Sequence, residues 1–191
     1  MHTTPYYNQI SVLPPDYIIK RLKENIMNNF KIIIYDLKDS GFQLADDTDE
    51  MRKYLNNGGS VVVTHDQWFN RYYKGKSYEL FNTSISSTKN GKVVNMAKIL
   101  KNEHPIFSSF YDLNEYDFKI SNTHAGYNKY LDKEYLKDMV IELDDGVESE
   151  YLLIKKFGKG NLIYWNVGHE STITDYEEKL FINLISWIYN K

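Results

Sequence analysis

Two kinds of hydrophobic pattern alternate in the first third of the chain. KIIIYDL, residues 31–37, and SVVVTHD, residues 60–66, are compact β-branched runs with no polar interruption, the pattern of strands buried on both faces. Ahead of the first run, PPDYIIKRLKENIMNN spaces Ile18, Ile19, Leu22 and Ile26 along one helical face, with prolines at the start, where a missing N–H costs nothing. Between the two runs, DDTDEMRKYLNNGG predicts a second helix, with Asp47 or Thr48 as its cap, acidic residues in its first turn and Gly58 as its terminator. Helix, strand, helix, strand in this order predicts a mostly parallel sheet covered by helices.

The middle has no such clear period. WFNRYYKGKSYELFNTSISSTKNG reads as a helix or irregular segment ending in an Asn90-Gly91 turn, KVVNMAKIL as a strand, HPIFSSFYDL as a loop leading into a short helix, and DFKISNTHAGYNKYL as a strand followed by a loop. Clarity returns at the end. MVIELDD, YLLIKKF and NLIYWNV are three strand candidates separated by turns at Asp144-Asp145-Gly146 and Gly158-Lys159-Gly160. A last helix begins at Thr174, whose spacing to Glu177 makes a capping box, and carries Leu180, Phe181, Leu184, Ile185 and Ile188 toward the sheet.

Composition narrows the partners. At 191 residues the chain suits one domain, residues 1–191, with a substantial core. A net charge of −3, with lysines dispersed among acidic residues, disfavours nucleic acid. No run approaches a membrane span and MHTTPYYNQI lacks a signal-peptide pattern, so a soluble, cytoplasmic protein with no membrane partner is expected. The 17 tyrosines suit core and surface equally, which leaves oligomerisation open. The absence of cysteine removes disulfides, thiolate metal sites and cysteine nucleophiles together.

Candidate chemistry gathers at predicted strand ends. In an open parallel sheet ligands bind beyond the carboxyl ends of the strands, where loops lead into helix N-termini. Asp36 closes the first buried run, His65 and Asp66 the second, and His169 and Glu170 follow NLIYWNV, so parallel strands would bring all five to one edge. Trp68 lies just beyond Asp66, and His124 stands in the loop-like NTHAGY, from which it could reach the cleft or solvent. Each has a plainer role beside the functional one: Asp36 as a strand terminator, His169 and Glu170 as caps of the last helix. His104, before Pro105, is expected to be structural, and Trp165, inside an apolar strand, to fill the core. The histidines and carboxylates are suitable metal ligands, but no His-x-His or His-Glu-x-x-His spacing supports a site, and neither metal nor cofactor is expected.

GKGNLIYWNVGHES followed by EEKLFINLISW resembles the C-terminal segment of the ThuA-like (trehalose-utilisation) proteins of the class I glutamine amidotransferase-like superfamily. NNGGSVVVTHD and His104-Pro105-Ile106 are similar to further elements of that family, and the resemblance runs from about Phe30 to Lys191. It implies a flavodoxin-like three-layer α/β/α sandwich. Such folds open with a buried strand, whereas only Ile10 to Leu13 precedes the prolines here, so a first strand is either that short run or lacking. In true amidotransferases an elbow cysteine is activated by the histidine and glutamate of the later strand. Here the elbow falls near His65, there is no cysteine and no Gly-x-Ser-x-Gly, so the resemblance stops short of glutamine hydrolysis.

Three functions remain. The first is a non-catalytic amidotransferase-like domain binding a small polar ligand, such as a carbohydrate, through Asp36, His65, Asp66, His124, His169 and Glu170, with Trp68 as an apolar wall. The second is a hydrolase or other enzyme in which His169, with Glu170 or Asp66, acts as general base. The third is a degenerate interaction module.

Overall fold

The computed structural model describes residues 29–36, 48–64, 93–124, 137–144, 149–167 and 173–190. The helix expected from Pro14, the run Ile10 to Leu13 and the aromatic segment 68–91 lie outside these residues. Seven strands form one sheet: β1 (Ile32–Asp36), β2 (Ser60–Thr64), β3 (Val93–Ile99), β4 (Asp117–His124), β5 (Met139–Leu143), β6 (Glu150–Phe157) and β7 (Gly160–Trp165). Among the described residues two helices accompany them, α1 (Thr48–Asn56) and α2 (Asp175–Tyr189), and a 3₁₀ turn spans Pro105–Phe107.

The sheet order is β1-β2-β7-β6-β5-β3-β4. β1 pairs with β2 and β2 with β7 in parallel, but every other pairing is antiparallel. The fold is therefore α/β, and the expectation of a mostly parallel sheet is corrected to a mixed one. For β6 and β7 the reason lies in the chain length between them. A parallel return needs a crossover of about a dozen residues, and β6 reaches β7 through Gly158 and Lys159 alone, with Phe157 paired to Gly160. Gly158, at φ 57°, supplies the left-handed residue such a tight hairpin favours.

Helix α1 ends as its sequence predicts. Gly59 N–H bonds Tyr54 O and Gly58 N–H bonds Leu55 O, the paired pattern of a Schellman cap, with Gly58 at φ 106°. The chain then turns into β2 under an unusually close contact: a Cβ on Gly160 would stand 1.8 Å from Gly59 O. Gly160 thus lets the start of β7 lie against the residue that leads into β2.

Buried residues divide by strand parity. Val62, Ile163 and Trp165 join one cluster with Phe118, Ile120, Tyr151, Leu180, Leu184, Trp187 and Ile188, centred beneath α2. Val61, Val63, Leu162 and Tyr164, of the opposite parity, are equally buried but outside that cluster. They belong to the part of the sheet on which α1 packs through β2 and β7. Met51, Tyr54 and Leu55 are the buried residues α1 brings.

Candidate functional site

The parallel pairings carry Asp36, Thr64 and Trp165 into one row across β1, β2 and β7. The carboxyl ends of these three strands therefore coincide, as the sequence reading required of the edge it proposed. His65, Asp66, Trp68, His169 and Glu170 lie outside the described residues. Asp36 and His124 are described in backbone only, as the last residues of β1 and β4. Among the described residues no group of three or more histidines and carboxylates could hold a metal ion.

What is visible at this edge is the framework beneath the loops. Asn166, the residue after β7, is buried, and its backbone N–H bonds Tyr151 O at 2.8 Å. Its Oδ1 accepts from Thr123 Oγ1 at 3.0 Å, and Nδ2 faces Glu150 O at 3.5 Å. An asparagine with its amide spent inside the protein anchors the end of β7 to β4 and β6.

The start of α2 is fixed as firmly. Thr174 caps α2, its Oγ1 accepting from Glu177 N–H and donating to Lys119 O, while Glu177 closes the capping box by accepting from Thr174 N–H at 2.8 Å. Glu177 is wholly buried and does more than cap. Its carboxylate also accepts from Ser121 N–H at 2.9 Å, Ser121 Oγ at 2.9 Å and Tyr151 Oη at 2.6 Å. Burial and the Glu177 charge, which also takes its hydrogen bond, push the Tyr151 hydroxyl well above its ordinary range. Buried as it is, this cluster joins α2 to β4 and β6.

His104 has the structural role expected of it. Its Nδ1 accepts from Ile106 N–H at the head of the 3₁₀ turn and its ring meets Trp187 edge-on at 5.0 Å. Trp165 fills the core, 3% exposed and stacked on Phe181 at 5.8 Å. Sequence reasoning missed Thr123, Asn166, Ser121, Tyr151 and Asn183. The signal was present in the last case, a polar residue on the apolar face of a helix. Asn183 Oδ1 accepts from Phe110 and Tyr111 N–H, and its Nδ2 donates to Tyr111 O.

No family model matches the sequence, and no curated protein matches it. Solved structures do match its fold. A protein from Parabacteroides merdae described as ThuA-like superposes with a TM-score of 0.59 at 11% identity, covering 92% of this chain and 85% of its own. A cytoplasmic protein of Salmonella typhimurium gives 0.57 at 11% identity, with 94% and 76% of the two chains covered. The domain thus shares the fold of a ThuA-like protein, the same family that its sequence motifs resemble. A β-galactosidase from Bacillus circulans matches 86% of this chain at a TM-score of 0.52 and 14% identity, but only 23% of its own length is spanned.

Proposed function

We propose that the protein is a non-glutaminase, amidotransferase-like domain that binds a small polar ligand, such as a carbohydrate, at the carboxyl edge of β1, β2 and β7. The arrangement is read as a flavodoxin-like three-layer sandwich in which α1 and α2 occupy opposite faces, a reading supported by the division of buried strand residues by parity. One observation carries the functional reading: the shared row of Asp36, Thr64 and Trp165, from which the chain continues into His65-Asp66 and toward His169-Glu170. Asp36, His65, Asp66, His124, His169 and Glu170 then supply donors and acceptors, and Trp68 an apolar wall. The absence of cysteine argues against thiolate chemistry at this edge.

The experiment is a thermal-shift screen against sugars, sugar phosphates, nucleotides and divalent cations, run on the unaltered chain and on His169→Ala. A ligand at a hundred times its dissociation constant adds about 2.7 kcal/mol of stability. A shift in the parent that is lost in His169→Ala supports the site; a shift equal in both places the ligand elsewhere. A second reading, an interaction module with a disused edge, is favoured by the recurrence of the fold as under a quarter of a β-galactosidase chain. The absence of any shift in the screen would turn the choice toward it.

A further inference from the structure

We infer that the capping box of α2 is an edge guard: Thr174 and Glu177 occupy the outer backbone edge of β4, which, once uncovered, pairs antiparallel with β4 of a second copy of this chain. β4 closes one end of the strand order and, among the described residues, has β3 on one side and no strand on the other. A bare strand edge presents a row of N–H and C=O groups that templates the addition of another chain.

The ladder with β3 shows which groups face outward. Ile99 N–H bonds Tyr116 O and Ala97 stands opposite Phe118, so Tyr116 and Phe118 turn their N–H and C=O toward β3. Asp117 and Lys119, of the other parity, turn theirs away from it. The first turn of α2 sits on this outer side. Thr174 Oγ1 donates to Lys119 O at 3.2 Å, and Ser121 N–H, two residues on, donates to Glu177 Oε2 at 2.9 Å. A hydroxyl and a carboxylate thus stand where the N–H and C=O of a neighbouring strand would be.

A helix needs none of this to be capped. The box is complete once Thr174 Oγ1 accepts from Glu177 N–H and Glu177 accepts from Thr174 N–H, so the bonds to β4 are additional. Ser121 Oγ and Tyr151 Oη hold the other carboxylate oxygen, Oε1, and lock the guard from inside. Only the first turn has to lift for the edge to open, since Leu180, Leu184 and Ile188 keep the rest of α2 in the core.

Charge selects the occupant. Asp117 and Lys119 are exposed on either side of the buried Phe118. In an antiparallel β4–β4 pair centred on Phe118, each Asp117 lies opposite Lys119 of the other chain, and the outward N–H and C=O groups of both residues are exchanged. Opposite charges directly across such a pair favour it, whereas a register that sets Lys119 against its own copy is disfavoured.

The test opens the guard and then reverses the charges. Glu177→Ala, checked as folded by circular dichroism, should double the sedimenting mass relative to the parent, and the amides of Asp117 and Lys119 should exchange more slowly than in the parent. Adding Asp117→Lys should return the mass to the parental value, because lysine then faces lysine. Adding Lys119→Asp as well should restore the doubling. Neither change should alter the mass of the guarded parent. If Glu177→Ala does not fold, Thr174→Val carries the same test at higher concentration, since it frees Lys119 O and leaves the Glu177 carboxylate to Ser121 and Tyr151. A folded variant of parental mass overturns the inference and leaves the box a helix cap. A doubling indifferent to Asp117→Lys overturns it as well, and moves the association to another surface such as β1 at the opposite end of the sheet.

Discussion

The central strands β2 and β7 and the outer pair β3 and β4 share one sheet but obey different burial rules. β2 and β7 are buried at every position, whereas β3 alternates, with Val94, Ala97 and Ile99 inside and Val93, Asn95 and Lys98 outside. β4 alternates likewise from Asp117 to Ile120. β5 and the first half of β6 are buried nearly as continuously as β2 and β7, so the wet face belongs to the outer strands β3 and β4. β4 nevertheless meets the end of β7 through the Thr123–Asn166 hydrogen bond.

The largest expected effect breaks the link that α2 makes to β4 and β6. Glu177→Ala removes the acceptor of four hydrogen bonds inside the fold and should lower stability by about 4 kcal/mol, read by urea unfolding. Glu177→Gln, which keeps shape and one acceptor oxygen, should lose markedly less. Within the parallel half, Gly160→Ala forces a methyl group against Gly59 O and should cost about 3 kcal/mol, because backbone cannot move aside as a side chain can. Asn183→Ala should cost about 2 kcal/mol by leaving the Phe110 and Tyr111 N–H groups without their acceptor, and hydrogen exchange should rise at those two amides first.

A pH test sharpens the comparison further. Because the Tyr151 hydroxyl is held above its usual value of 10.0 in the folded chain, its contribution is complete below that pH and is lost as pH rises through the folded value. Stability should therefore fall in the alkaline range, above about pH 10, and Tyr151→Phe should flatten that fall while costing about 1 kcal/mol at neutral pH. The smallest effect belongs to the surface. Lys179→Ala breaks an exposed pair with Asp175 and should leave the unfolding midpoint unchanged.

Much of this was legible in the residues. Ile32 to Asp36, Ser60 to Thr64 and Gly160 to Trp165 announce themselves as strands by unbroken apolar runs, and Gly58 and the Thr174–Glu177 pair mark helix ends that the hydrogen bonds reproduce. Direction was less legible, since β5, buried at four of its five positions, looks like a parallel strand although both its neighbours run against it. The two-residue turn at Gly158-Lys159 held the missing information, for no parallel partner can be reached through it. Of the candidate site, the alignment of three strand ends could be reasoned from the alternation of elements. The Thr123–Asn166 contact could not, because it joins β4 to the end of β7 past three intervening strands, and the register irregularities between β3 and β4 and between β5 and β6 leave no mark in the hydrophobic pattern.

The pairing of β2 with β7 also sets an order of events. Ser60 and Asn161, whose side chains bond across the two strands, are 101 residues apart in the chain. During synthesis Val61 to Val63 must therefore wait, with one strand edge open, until nearly the whole domain has emerged. Closure over so long a loop is slow, and an apolar strand left open invites mispairing with other chains. β5, β6 and β7, joined in sequence by short connections, can assemble first and offer β7 as the template on which β2 and β1 are laid down. A chain that stalls before Gly160 would expose its most buried strand, so refolding yield, more than final stability, is where this architecture is most easily harmed.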